Sequence, residues 1–310
     1  MMKSAFKTIR SSKNSSSDES LNRVSSSTGG ADDPSPSGKN THYLRQSNQK
    51  DAQYSGKSIK LLVANLKMHL NAAQLDVWVE AFTSEIKLDG YQQQQVVVCP
   101  STIHIYRAQE FFRQRGLKIK IGAQHALGLE EGSLTGEVSV SMLNGYAHYL
   151  IVGHSEQRGY SSPADIELAD EISKALSFGI KPILCVGESL EQFKCGSSRA
   201  FITGQLQRVL AKLNPRQIKN TYIAYEPIWS IGSGKIPNNS QIELTLRAIK
   251  SEVSRIIGEN GYVFGNILYG GSVNVNNIVH LNKIKDISGY LVGSASLDPL
   301  QLAKMANWLL

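Results

Sequence analysis

Leu61-Leu62-Val63-Ala64-Asn65-Leu66-Lys67 is the stretch on which the fold turns. A short apolar run, sized for a strand buried on both faces, ends in Asn and Lys. An open dinucleotide-binding sheet would place a glycine-rich turn there. Working outward, seven more runs of similar length follow: Val96–Cys99, Ile119–Ile121, Tyr149–Val152, Ile183–Val186, Tyr222–Tyr225, Ile267–Tyr269 and Tyr290–Val292. Segments with helical punctuation separate them. Pro163 suits a first turn, Leu168, Ile172, Ala175 and Leu176 share a face, and Gly179 ends that segment. Farther on, Ser240 and Glu243 form a capping-box pattern, and Ile242, Leu246, Ile249, Val253 and Ile256 step along one face to Gly258. Eight strand–helix units in about 250 residues predict an α/β protein, a closed (β/α)₈ barrel built as one domain over 58–310.

The rest of the chain is of a different kind. Residues 1–57 carry 14 serines and few apolar side chains, with no period, so they bury too little surface to offset ordering entropy. They are read as a low-complexity, disordered N-terminal extension. Lys3, Lys7, Arg10 and Lys13 come before any acid, which leaves organellar targeting as the other reading. No 7–15-residue apolar core of a secretory signal is present.

The net charge of +7 over 310 residues suggests nucleic acid until it is divided. The tail holds 9 basic and 5 acidic residues, leaving 24 and 21 for the remainder, so the barrel is nearly balanced. Nucleic-acid binding is not expected of it. No run approaches the roughly 18 apolar residues of a membrane span. Three cysteines, Cys99, Cys185 and Cys195, without CxxC or HExxH spacing, argue against a disulfide framework or zinc site and for a reducing, cytoplasmic setting.

In a (β/α)₈ barrel the chemistry collects where strands end. Asn65 and Lys67 follow the first run, Gly153-His154-Ser155-Glu156 the fourth, and Glu226 the sixth. Gly270-Gly271-Ser272 follows the seventh and Gly293-Ser294 the eighth. Singly, each has a plain structural reading: a satisfied histidine, a salt-bridge partner, a turn. Jointly, they suit proton transfer beside a carbonyl. A carboxylate takes a proton from carbon, an imidazole serves the oxygens, and a lysine steadies enediolate charge. Glycine turns would let backbone N–H groups approach a phosphate.

Those segments, with Ala64-Asn65-Leu66-Lys67-Met68, Ala224-Tyr225-Glu226-Pro227-Ile228-Trp229, Ile231-Gly232-Ser233-Gly234-Lys235, Tyr269-Gly270-Gly271-Ser272-Val273 and Leu291-Val292-Gly293-Ser294-Ala295-Ser296-Leu297, resemble the triosephosphate isomerase family across 58–310. The resemblance implies a TIM barrel that interconverts dihydroxyacetone phosphate and D-glyceraldehyde 3-phosphate, a step of glycolysis and gluconeogenesis. Glu226 would be the base and His154 the electrophile. Lys67 would offset oxyanion charge and help hold substrate, with Asn65 close by. Backbone groups of Gly232, Ser272, Gly293 and Ser294 would bind the phosphate, and residues 227–237 would form a lid.

No metal or organic cofactor is implied. A homodimer is, through the loop at Thr135-Gly136-Glu137. Glu156 resembles the acid beside the lysine, and Cys185 and Glu188 fall in the family's fifth-strand run, where Cys185 is packing and not a nucleophile.

Departures from the family are few: Leu66 for Trp, His69 for Asn, Gln157 for Arg, Ile236-Pro237 at the second hinge, and Ser294 for Gly. A catalytically impaired barrel used as a binding scaffold is the alternative they raise. A sugar-phosphate epimerase would want metal ligands or paired acids at the strand ends.

Overall fold

The computed structural model describes residues 60–160, 165–233 and 235–310. The tail, Pro163 and Gly234 lie outside the described residues, so the readings placed on them are not addressed by the fold.

Eight parallel strands close into a barrel in chain order: β1 (Leu61–Asn65), β2 (Val96–Cys99), β3 (Lys120–Ala123), β4 (Tyr149–Val152), β5 (Lys181–Val186), β6 (Tyr222–Tyr225), β7 (Ile267–Tyr269) and β8 (Gly289–Val292). β8 pairs back onto β1, with Val63 opposite Leu291. Around them run α1 (Ala72–Glu85), α2 (Gly90–Gln93), α3 (Ile105–Gln114), α4 (Ser155–Tyr160), α5 (Asp165–Ser177), α6 (Leu190–Lys194), α7 (Ser198–Leu210), α8 (Pro215–Lys219), α9 (Asn239–Ile257), α10 (Ile278–Leu281) and α11 (Pro299–Leu309). Among the described residues, no helix is long and apolar enough to cross a membrane.

The strands are apolar throughout because both faces are covered, and their alternation sorts two cores. Leu61, Val63, Val97, Cys99, Ile151, Ile183 and Cys185 pack together inside the barrel. Their neighbours Leu62, Ala64, Val96, Val98, Leu150 and Leu184 pack outward against the helices. The interior is full: a Cβ on Gly122 would lie 2.5 Å from Cys99 Sγ. That crowding explains one shift from expectation. β3 is Lys120–Ala123 and not Ile119–Ile121, because Gly122 and Ala123 are the small residues the pairing with β4 accepts.

α5 buries Leu168, Ile172 and Ala175 as its period predicts, and Gly179 follows with φ +73°. It also buries Glu171 on the same face, while Leu176 is only partly covered. α9 corrects the reading of its start. The cap is Asn238, whose side chain accepts from the Gln241 N–H while the Gln241 side chain accepts from the Asn238 N–H. Ser240 lies inside the helix, so the Ser240–Glu243 box does not form. At the far end Ile257 is buried where Ile256 was expected, and Gly258 closes the helix with φ +72°.

Candidate active site

The mouth of the barrel is assembled from β1 outward. Lys67 has φ +50°, the single non-glycine residue in the left-handed region among those described. For a side chain with a Cβ this conformation costs energy and persists only if its surroundings fix it. Three contacts do so. The Lys67 N–H donates to Asn65 Oδ1 at 3.0 Å, and the Lys67 carbonyl accepts from Ser101 Oγ at 2.9 Å and Gln124 Nε2 at 2.8 Å. Thus Asn65 shapes the turn that presents Lys67. The ammonium then meets Glu156 Oε1 at 2.6 Å.

β4 leads through Gly153 to His154, the residue directly before α4. Its Nδ1 accepts from the Glu156 N–H at 3.3 Å. An imidazole nitrogen used as an acceptor carries no proton, so the hydrogen sits on Nε2. Nε2 faces Glu226 Oε1 at 3.3 Å, and both side chains are buried, at 8% and 2% exposure. The other carboxylate oxygen accepts from the Ser155 N–H at 3.4 Å.

Glu226 extends β6, its N–H donating to the Val186 carbonyl at 2.8 Å. Two glycines leave room for it. A Cβ on Gly187 would fall 1.7 Å from the Glu226 carbonyl oxygen, and one on Gly270 would fall 2.9 Å from Glu226 Cγ. Cys185 lies behind; burial first, then the Glu226 charge, pushes its thiol far up, as suits packing and not nucleophilic attack. Arg158 reaches back to the ends of β4 and β5. It donates to the carbonyls of Gly153 at 2.8 Å and Cys185 at 3.3 Å.

The segment that the resemblance implies is a lid leaves the site through a 3₁₀ turn, Ile228–Ser230. Its base is pinned by Glu188, whose Oε1 accepts from Trp229 Nε1 at 3.0 Å and Tyr225 Oη at 3.2 Å. Burial pushes the Glu188 carboxyl up, and these bonds pull the other way. Gly232 is exposed at the lid turn with φ +65°, and Pro237 is buried at the far hinge. Directly after β8, Gly293 stands beside Lys67: a Cβ there would lie 3.6 Å from Lys67 Cε. Ser294, itself exposed, opens the 3₁₀ turn that follows, and the Ser272 N–H donates to Ser230 Oγ at 3.3 Å.

Three residues that the sequence reading passed over belong here: Ser101, Gln124 and Ser230. Gln124 directly follows β3 and Ser101 comes two residues after β2, so their place at strand ends is the signal that marks them in the sequence. Ser230 stands between the two quoted lid segments.

The comparisons with known proteins agree with this geometry. The family model described as triosephosphate isomerase matches residues 60–309. A triosephosphate isomerase of Solibacter usitatus is 36% identical over 250 residues, covering 80% of this chain and 98% of that protein. Its counterpart from Corynebacterium efficiens is 37% identical over 247 residues, with coverage of 79% and 94%. One from Clostridium beijerinckii is 39% identical over 214 residues, 69% of this chain and 86% of that protein.

Proposed function

This chain belongs to the triosephosphate isomerase family, and from that premise we propose that it interconverts dihydroxyacetone phosphate and D-glyceraldehyde 3-phosphate through an enediolate. The observation that carries the assignment of roles is the facing of His154 Nε2 and Glu226 Oε1 at 3.3 Å in the mouth of a closed barrel. Glu226 takes a proton from one carbon of the substrate and returns it to the next. His154, with its hydrogen on Nε2, polarises the carbonyl and passes protons between the two oxygens. Lys67 offsets the charge that gathers on those oxygens. Its contact with the exposed Glu156 is a solvent-facing pair of small net worth, so the ammonium is free to turn to substrate. Asn65 presents Lys67 to the substrate, and backbone groups of Gly232, Ser272, Gly293 and Ser294 hold the phosphate. Residues 227–237 close over the site and exclude water.

The chain works as a homodimer in this reading. Met68, Ile103, Leu134 and Met142 are large apolar side chains left between 51% and 92% exposed on the loops that follow β1, β2 and β3. Large apolar side chains exposed after three adjacent strands suit burial against a second copy. The low cysteine count supports a cytoplasmic setting. No observation favours the scaffold alternative, since every reacting side chain is present.

The test is isomerisation of glyceraldehyde 3-phosphate by the purified chain, with Glu226→Gln as the blank. Turnover that vanishes in the blank is expected; a folded protein with no turnover above the blank would overturn the assignment.

A further inference from the structure

Ser230 has a position that lid closure alone does not explain. It is fully buried at 0% exposure, at the end of the 3₁₀ turn that begins the lid. Its hydroxyl donates to the Lys235 carbonyl at 2.6 Å, on the far side of the lid, and accepts from the Ser272 N–H at 3.3 Å, in the turn after β7. One hydroxyl therefore ties both ends of the lid to the turn read above as a phosphate cradle. Ser233 reinforces the same fold of the lid, donating to the Trp229 carbonyl at 3.1 Å and accepting from the Lys235 N–H at 3.2 Å.

We propose that Ser230 is a positioning residue that acts as a latch, its hydroxyl holding the Ser272 N–H until a substrate phosphate replaces it. The proposal rests on the reading of that N–H as a phosphate donor. A backbone N–H has one hydrogen to give, so Ser230 Oγ and a phosphate oxygen compete for it. The anion is the better acceptor, because charge-assisted bonds are roughly twice as strong as neutral ones. Replacing Ser230 at that N–H loosens the hydroxyl that also grips Lys235. Arrival of phosphate and release of the lid then become one event. The cost falls on binding: part of the phosphate's interaction is spent displacing the hydroxyl, which weakens affinity for any phosphate-bearing ligand.

The experiment compares wild type and Ser230→Ala in isomerisation, with inorganic phosphate as competitive inhibitor. Alanine removes the competitor and leaves the N–H to water, so inorganic phosphate should inhibit the variant about threefold to tenfold more tightly, the scale of one neutral hydrogen bond. KM should fall in the same sense. Tightening is a readout that structural damage would not give. Should the alanine protein not fold, Ser230→Cys, close in volume and a poor hydrogen-bond partner, offers the same comparison. Equal or weaker inhibition of the variant, with wild-type turnover and inhibition intact, overturns the latch and leaves the isomerase reading standing. A wild type that neither turns over triose phosphate nor is inhibited by phosphate overturns the reading beneath it.

Discussion

At the scale of single residues, position counts for more than identity. Glu226→Asp keeps the charge but withdraws the carboxylate by one methylene, and misplacement on the order of 1 Å costs about 100-fold in rate. The expected result is a fall of that size in kcat with a folded protein; turnover at the wild-type rate would remove Glu226 from the role of base. Lys67 is held less directly, through its own backbone. Gln124 Nε2 bridges the carbonyls of Lys67 and Cys99, each at 2.8 Å, and so supports a backbone conformation that costs about 1–3 kcal/mol when unsupported. Gln124→Glu sets a carboxylate oxygen against two carbonyls without changing volume. The expected outcome is a loss of roughly tenfold or more in kcat. Steady-state kinetics beside a thermal melt would check it: kcat unchanged in a folded variant would show that Lys67 does not depend on this bridge.

Elements show where the sequence speaks and where it does not. All eight strands could be read because burial on both faces leaves an unbroken apolar run, a signal few other elements produce. Their ends were less legible. β3 runs through Gly122 and Ala123, whose strand character comes from a crowded interior and not from propensity. Similarly, two overlapping capping boxes are written near α9, Asn238–Gln241 and Ser240–Glu243, and only packing decides which one begins the helix. Asn238→Ala should therefore destabilise the protein by about 1 kcal/mol and Ser240→Ala by under about 0.5 kcal/mol, as read by urea denaturation. A reversed order would return the cap to Ser240. Lys67, His154 and Glu226, the trio proposed to react, could be picked out because strand ends are few and a polar residue follows each of β1, β4 and β6. Gln124, Ser101 and Ser230 were not, since their work is to hold backbone groups that sequence does not display.

For the whole molecule, the described site draws all its side chains from the barrel, so removing residues 1–57 should leave kcat and KM within about twofold, short of the tenfold that marks loss of a catalytic interaction. A large loss would show that the extension belongs to the working enzyme. Stability against pH has a specific internal source. Glu171 sits in the apolar stripe of α5 at 3% exposure, with no hydrogen-bond partner for Oε2 among the described residues. Burial first, then the charge of Glu167, pushes its carboxyl from 4.5 up to about 8, with Arg158 pulling the other way. Between those two values the unfolded chain has released the proton and the folded chain still holds it. Folding then loses stability as pH rises, by at most about 1.4 kcal/mol per pH unit, and the loss levels off above the folded value. Glu171→Gln removes the proton from this balance. Its melting temperature should change less than that of the wild type between pH 5 and pH 8, with the variant the more stable of the two at the upper end. Parallel curves across that range would mean that Glu171 ionises in the fold as freely as in water, and that the buried carboxylate finds a partner within the assembled protein.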